Sequence, residues 1–419
     1  MISKEKIKQI VLNQKRRISI EKKTIERDLE KNILQFLKDN RILILTGIRR
    51  SGKSTILSHL MDASKKFIYV NFEDEGFLDF EAKNFEELNE VLIEIYGESK
   101  FYFFDEIQEI KNFESFVRRL QDDGKKIIIT GSNASLLSKE FATKLTGRNK
   151  SFEVYPFSFK EFLRYRNFEY AKDDLSITKK KVKIKNFFEE YMKFGGMPEY
   201  LNLNDVEYLK NVYDNILYRD IVARYDIKRE VALRELVLLL TQNMSNTFTY
   251  NSLKKSLKLS NAITVKEYIG YLKNSYLFFE IPKFSYSLKE QLISPKKIYL
   301  IDHSFQKVFG TTFSPNKGWI LENIVFIELL RRKNKVFYYS KEGECDFVVK
   351  GGERVKEVFQ VCYELNSDNK DREIVGLIEA MDRVKLKKGF ILTKDQEDEF
   401  IVEGKKIIVK PVWKWVLEV

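Results

Sequence analysis

The stretch RILILTGIRRSGKST, residues 41–55, decides how the first part of the chain folds. Ile42 to Leu45 is an unbroken apolar run, the mark of a strand buried on both faces. It leads straight into Gly47-Ile48-Arg49-Arg50-Ser51-Gly52-Lys53-Ser54-Thr55, which fits the pattern G-x-x-x-x-G-K-[ST] with a strand before it and a helix after it. Glycines let such a loop turn its backbone N–H groups inward around a phosphate, and the helix that follows adds its positive end. Lys53 supplies a point charge to phosphate oxygens, and the Ser54 hydroxyl can ligate Mg²⁺. The expected nucleotide-binding residues are therefore Gly47, Ile48, Arg49, Arg50, Ser51, Gly52, Lys53, Ser54 and Thr55. For Arg49 and Arg50, contact with the nucleotide and exposure to solvent are both open.

Working outward, short β-rich runs alternate with helical stretches: FIYVNF (67–72), KFYFFDE (100–106), KIIITGS (126–132) and SFEVYPF (151–157). Apolar runs separated by helices predict a parallel sheet covered on both sides. The run FYFFDE ends in two carboxylates. Its position assigns Asp105 to Mg²⁺ and Glu106 to the attacking water as general base, a role that asks for an unpaired carboxylate near the γ-phosphate of ATP. The next strand ends in Thr130-Gly131-Ser132-Asn133, and ASLLSKEFA after it reads as a helix that Ser132 or Asn133 would cap.

From 158 to 226 the pattern becomes helical (FKEFLRYR, IKNFFEEYMKFGG), which predicts a lid-like unit. Residues 227–300 read as a helix (ALRELVLLLTQNM), a short helix (YNSLKKSLKL), a longer helix and a two-stranded return, the order of a winged helix-turn-helix with Ile263 to Tyr276 as recognition helix. Residues 301–419 carry a helix (ENIVFIELLRR), strands VFYYS, CDFVVK and VFQVCYEL, a helix around Ile374 to Asp382, and strands KGFILTK and IIVKPV, a small mixed α/β domain.

Composition bounds the alternatives. A chain of 419 residues, 43% hydrophobic and 32% charged, has material for about three domains and is not a disordered polymer. Cys345 and Cys362 are its two cysteines and His59 and His303 its two histidines, which excludes a disulfide scaffold and a zinc site of ordinary type. These counts, the charged N-terminal stretch and the lack of any apolar run near the ~20 residues that span a bilayer predict a cytoplasmic protein without a membrane partner. The net charge of +12 points to an anionic partner, DNA first, bound without sequence preference, and it matches equally the Lys, Ile and Asn bias of an AT-rich genome.

GIRRSGKST, FFDEIQEI, IIITGSNASLLS, LTGRNKSFEVYPFSFKEFL, FGGMPEYL (194–201) and ILYRDIVARYDI occur in this order, and with them the chain resembles the archaeal and bacterial AAA-plus ATPases whose P-loop domain precedes a C-terminal region of unknown function. The resemblance implies an α/β fold with a P-loop AAA-plus core and parallel sheet (1–157), a helical lid (158–226), a winged helix-turn-helix (227–300) and a C-terminal mixed α/β domain similar to PD-(D/E)xK nucleases (301–419). It implies ATP as substrate with Mg²⁺, and a nucleotide-driven switch or motor acting on DNA or a DNA-associated protein. A non-catalytic ATP-responsive DNA-binding regulator and an ATP-gated nuclease are the alternatives. In such ATPases a polar residue at the end of the inserted strand senses the γ-phosphate, here Ser132 or Asn133. An arginine before the last core strand, here Arg148, reaches into a neighbouring subunit of a homo-oligomer. FGGMPEYL reads as a packing turn, with Arg219 or Arg224 nearby as the lesser candidates for nucleotide sensing. In the nuclease-like part Glu322 or Glu328, Asp346 and Gln360 match the acidic positions, but Cys362 stands where a lysine is needed, so cleavage is not expected.

Overall fold

A computed structural model describes residues 2–18, 24–137, 143, 145, 147–309 and 316–418. The chain divides into two compact units, Met1–Tyr155 with Asn274–Tyr276, and Pro156–Lys273 with Leu277–Val419.

The first unit is built on a five-stranded sheet of β1 (Ile42–Thr46), β2 (Phe67–Asn71), β3 (Phe101–Asp105), β4 (Lys126–Gly131) and β5 (Asn149–Glu153), in the order β2-β3-β4-β1-β5. All its pairings are parallel. Alternate residues feed opposite layers, as the pleat requires. Tyr102 and Phe104 join Ile42, Ile44, Ile127 and Ile129 on one face. Phe103 joins Leu43, Leu45 and Ile128 on the other, against Ile56, Leu57 and Leu60 of the helix Lys53–Ser64. This two-sided burial is why these strands are continuously apolar.

Three elements of this unit differ from the sequence reading. The charged N-terminal stretch forms a helix, Lys4–Arg17, whose Ile7, Ile10, Val11 and Gln14 make a buried stripe at helical spacing, while Lys4 and Lys8 pair with Glu90 and Glu94 of the helix Phe85–Tyr96. The run read as SFEVYPF is an edge strand that starts at Asn149 and stops at Glu153, and only Phe152 of it is buried. Of the helix expected over ASLLSKEFA, Ala134–Leu137 forms a 3₁₀ turn and residues 138–142 lie outside the described residues.

The second unit begins with helices Phe159–Tyr165, capped by a reciprocal Ser158–Glu161 pair, Thr178–Phe194, Pro198–Leu203 and Val206–Asp214, the last running on as a π-helix over Asn215–Ala223. FGGMPEYL links two of them. An added Cβ at Gly196 would stand 2.2 Å from the carbonyl oxygen of Phe157, and the Gly196 N–H donates to Asp302 Oδ2 at 2.7 Å.

Helices Glu230–Gln242, Tyr250–Ser256 and Ala262–Asn274 then lead into a small antiparallel sheet of β6 (Thr247–Phe248), β7 (Phe278–Pro282) and β8 (Lys296–Leu300), in the order β6-β8-β7. The helix read as ending at Tyr276 thus stops at Asn274. After the helix Lys317–Arg331 comes a mixed sheet of β9 (Lys335–Ser340), β10 (Glu344–Gly351), β11 (Arg354–Val361), β12 (Lys388–Thr393), β13 (Asp398–Val402) and β14 (Lys405–Pro411), in the order β13-β14-β12-β11-β10-β9, with the helix Lys370–Val384 packed on it. Strand β13 escaped the sequence reading because it is a charged edge strand without a buried residue.

Candidate functional site

The parallel register gathers the motif residues at one edge of the first sheet. Leu45 pairs with Thr130 and Thr46 with Gly131, while Phe104 pairs with Ile129, so the ends of β1, β3 and β4 lie side by side. Gly47 and Gly52 shape the loop that leaves β1. A Cβ on Gly47 would meet the Val154 carbonyl oxygen at 2.2 Å, and Gly52 has φ of +97°, a conformation that strains any residue with a side chain.

Lys53, at the start of its helix, is buried and turned into the loop, with Nζ 3.0 Å from the Gly47 carbonyl and 3.2 Å from that of Ile48. The same ammonium lies 3.5 Å from Glu106 Oε1. Ser54 Oγ donates to Asp105 Oδ2 at 3.3 Å, as does the Tyr69 hydroxyl at 3.3 Å. Thr130 ties the two acids together, because its hydroxyl donates to Asp105 Oδ1 and accepts from the Glu106 N–H at 3.0 Å.

Glu106 is not the unpaired carboxylate that the sequence reading asked for. Its Oε2 accepts from Gln108 Nε2 at 2.5 Å and from the Ser132 N–H at 3.0 Å, and its backbone sits in the left-handed region (φ 50°, ψ 41°). A non-glycine residue held there marks a place where the surroundings dictate the conformation. Burial pushes the Glu106 carboxyl up, but Lys53, the Gln108 amide, Arg49 and Ser132 outweigh it and hold the group below its ordinary value.

Asp105 behaves in the opposite way. Complete burial and the neighbouring Glu106 raise it to about 6 against the opposing pull of Thr130, Lys53 and Tyr69. A raised pKa means that this group favours the fold most below its unfolded value of 3.8 and that the contribution is lost as pH rises through about 6. Asp105→Asn should therefore stabilise the nucleotide-free chain at pH 7.5 by about 2–3 kcal/mol and leave it nearly unchanged near pH 4. Urea unfolding at both pH values checks this, and a gain that is the same at both would refute the stated cause.

The remaining expected residues fall as follows. Ser132 and Asn133 are both buried, Ser132 with its N–H on Glu106, and among the described residues the hydroxyls of Ser51 and Ser132 are buried with no hydrogen-bond partner. Arg49 is half-buried and bonded to Glu73 at 2.6 Å, whereas Arg50 is exposed with φ of 64°. Arg148 is exposed and makes a 3.2 Å pair with Asp122 of its own chain. A cavity of about 370 Å³ opens beside Ser54 and Asp105, lined also by Gln14, Arg17, Tyr69 and Glu73.

Sequence reasoning missed Arg27. Its guanidinium is buried and donates to the carbonyls of Ser51 at 2.8 Å and Tyr155 at 2.5 Å, so it braces the phosphate loop from behind. Its own N–H donates to Glu30, which in turn meets His59 on the loop's helix at 2.9 Å. No local pattern in TIERDLEKN distinguishes such a brace from a solvated linker.

The centre expected from Glu322, Asp346 and Gln360 also differs from its sequence reading. Glu322 and Asp346 are brought together and Glu328 is not, since it bonds Arg332 at 2.9 Å. The cation is Lys297 of β8, which the sequence reading did not consider.

Residues 39–163 match the family model described as an AAA domain, and residues 185–308 match one described as a domain of unknown function. The uncharacterized protein MJ1544 of Methanocaldococcus jannaschii is 37% identical over 441 residues, spanning 100% of this chain and 96% of its own length. An uncharacterized protein of Haemophilus influenzae is 28% identical over 403 residues, spanning 92% of this chain and 96% of its own. Among solved structures, a Walker-type ATPase of Pyrococcus abyssi aligns with a TM-score of 0.45 at 18% identity, over 68% of this chain and 96% of that one. Matched along its whole length at 37% identity, the chain belongs to the family of the M. jannaschii protein, and its AAA domain lies at residues 39–163.

Proposed function

We propose that the chain hydrolyses ATP at the edge of the first sheet and uses the nucleotide state to switch or drive a DNA-linked partner. The observation that carries this reading is the convergence, within 3.5 Å, of Lys53 with Glu106 and of Ser54 with Asp105. Hard oxygen donors from Ser54 and Asp105 suit Mg²⁺, which when bound neutralises charge on the β- and γ-phosphates. Lys53 holds phosphate oxygens, Glu106 orients the attacking water, and the orphan hydroxyl of Ser132, or Asn133, meets the γ-phosphate.

Binding energy from the phosphate is what frees Glu106. Lys53 exchanges its loop carbonyls for phosphate oxygens, so the carboxylate loses its nearest cation and becomes a better base. A non-catalytic regulator is the second reading, and the bonds of Gln108 and the Ser132 N–H to Glu106 favour it.

The helices of 158–226 serve as a lid and those of 227–300 as a winged helix. Exposed Lys255, Lys258 and Lys266 on the latter suit phosphate contacts in a cytoplasmic, sequence-tolerant DNA complex. The C-terminal domain, 301–419, is a nuclease-like remnant without cleavage activity.

Arg148 acts in a neighbouring copy of the chain. Its pair with Asp122 is exposed on both sides, and such pairs contribute at most about 1 kcal/mol, so the guanidinium can leave it for a phosphate at little cost. Arg148→Ala should keep ATP affinity within about threefold and cut turnover about 10³-fold. Mixing it with Lys53→Ala chains should restore part of the rate. A chain that stays monomeric under ATP and shows no such rescue would make Arg148 a surface residue of its own domain.

A further inference from the structure

We infer that Lys297 is the resident cation of a carboxylate centre in the second unit, an ammonium standing where these acids would otherwise need a divalent metal ion. Lys297 is 1% exposed, and its Nζ lies 2.7 Å from Glu344 Oε1, 3.0 Å from Asp346 Oδ1 and 3.6 Å from Glu322 Oε1. An ammonium has three donors and no acceptor, and here each faces a carboxylate from β10 or from the helix Lys317–Arg331.

Protein groups bond the rest of the centre, of which Glu322 and Glu373 also line a cavity of about 370 Å³. Tyr299, two residues along β8 and hence on the same face, donates to Glu322 Oε1 at 2.7 Å. Asp346 Oδ2 accepts from the Val361 N–H at 2.9 Å. Gln360 accepts from the Asp346 N–H at 3.2 Å and donates to Glu373 at 2.5 Å, and Glu373 is held in turn by Arg372 at 2.6 Å. Every one of these acids therefore already has a protein donor. Among the described residues no group of His, Cys, Asp and Glu side chains stands in an arrangement that would hold a metal ion.

Buried carboxyl groups call for a cation or a proton: Asp346 has the ammonium at 3.0 Å, burial and Asp346 push the Glu322 carboxyl up to about 8, and Glu344 reaches the ammonium from an exposed position. Cys362, just past the end of β11 and two residues after Gln360, supplies no charge, and the cation arrives instead from β8. Acids on β10 and the helix Lys317–Arg331 thus share one ammonium with β8, and the centre fastens the three-stranded sheet to the six-stranded sheet without metal. This inference stands on these contacts alone and is independent of ATP hydrolysis.

Mn²⁺ titration of the EDTA-stripped full-length chain, without nucleotide and followed by the paramagnetic resonance of free Mn²⁺, tests it. Wild type and Asp346→Asn should give the same curve. Lys297→Met should gain about one Mn²⁺ per chain, bound at least about tenfold more tightly than anything wild type shows, and Lys297→Met/Asp346→Asn should lose it again. A wild-type Mn²⁺ site that Asp346→Asn removes would overturn the inference, and so would a folded Lys297→Met chain that gains none. Should Lys297→Met fold only when Mn²⁺ is present, that dependence supports it. Should it fold under neither condition, the wild-type and Asp346→Asn curves decide alone: equal curves support the inference and an Asp346-dependent site overturns it.

Discussion

Glu106→Gln should lower phosphate release about 10²–10³-fold while ATP affinity stays within a few-fold of wild type. Glutamine keeps the shape of the side chain and can still accept from the Ser132 N–H, so the left-handed backbone and the loop around Lys53 are retained. What it loses is the negative charge that, in the proposed hydrolysis, orients and polarises water. That charge acts in a site where Glu106 is almost wholly enclosed, so solvent cannot replace it. Removing a carboxylate also relieves its repulsion of Asp105, which lowers the Asp105 pKa and would strengthen its hold on the proposed Mg²⁺. ATP should therefore bind at least as well in the variant, and equal phosphate release from both chains would remove Glu106 from the chemistry.

The second large effect is structural. Gly196→Ala should destabilise the second unit by about 3 kcal/mol, because the new methyl would lie 2.2 Å from the Phe157 carbonyl oxygen and 3.0 Å from the Phe157 nitrogen, backbone atoms with no rotamer to change. The Phe157 N–H also donates to the Gly196 carbonyl at 2.7 Å and the Gly196 N–H to Asp302, so any shift breaks hydrogen bonds on both sides. In a unit of this size the melting temperature should fall by roughly 6–12 °C. Gly270→Ala is the matched control. It lies within a helix with nothing within 4 Å of the added methyl and should be neutral or stabilising by up to about 1 kcal/mol. Equal melting temperatures for Gly196→Ala and wild type would show that FGGMPEYL is not a packing turn.

The phosphate loop, Asp105, Glu106 and the strands β1 to β4 could be read from sequence because each is a local pattern. Apolar strands that end in polar residues mark buried parallel strands, and their register brings those ends together. Elements whose burial is partial were harder to read. The edge strands β5 and β13 and the N-terminal helix mix charges with apolar residues, and only the neighbours they pack against decide their form.

Within the sites, what escaped is what depends on distant chain. Arg27 braces Ser51 and Tyr155, Tyr69 and Thr130 bond Asp105, and Lys297 serves acids on another sheet. No spacing rule links these residues to their partners. The pairing of Glu106 with Gln108 is the exception, since Asp-Glu-Ile-Gln is contiguous and the left-handed turn at Glu106 lets the amide fold back onto the carboxylate.

Calorimetric titration of the full-length chain with ATP and Mg²⁺, beside Lys53→Ala, shows whether a nucleotide binds in the loop of Gly47 to Thr55. Lys53 makes charge-assisted contacts that contribute about 1.5–3 kcal/mol each, so wild type should bind about one ATP per chain and the variant roughly 10–100-fold more weakly. Absence of binding by wild type, or equal affinity in the two chains, would mean that the loop is not a nucleotide site.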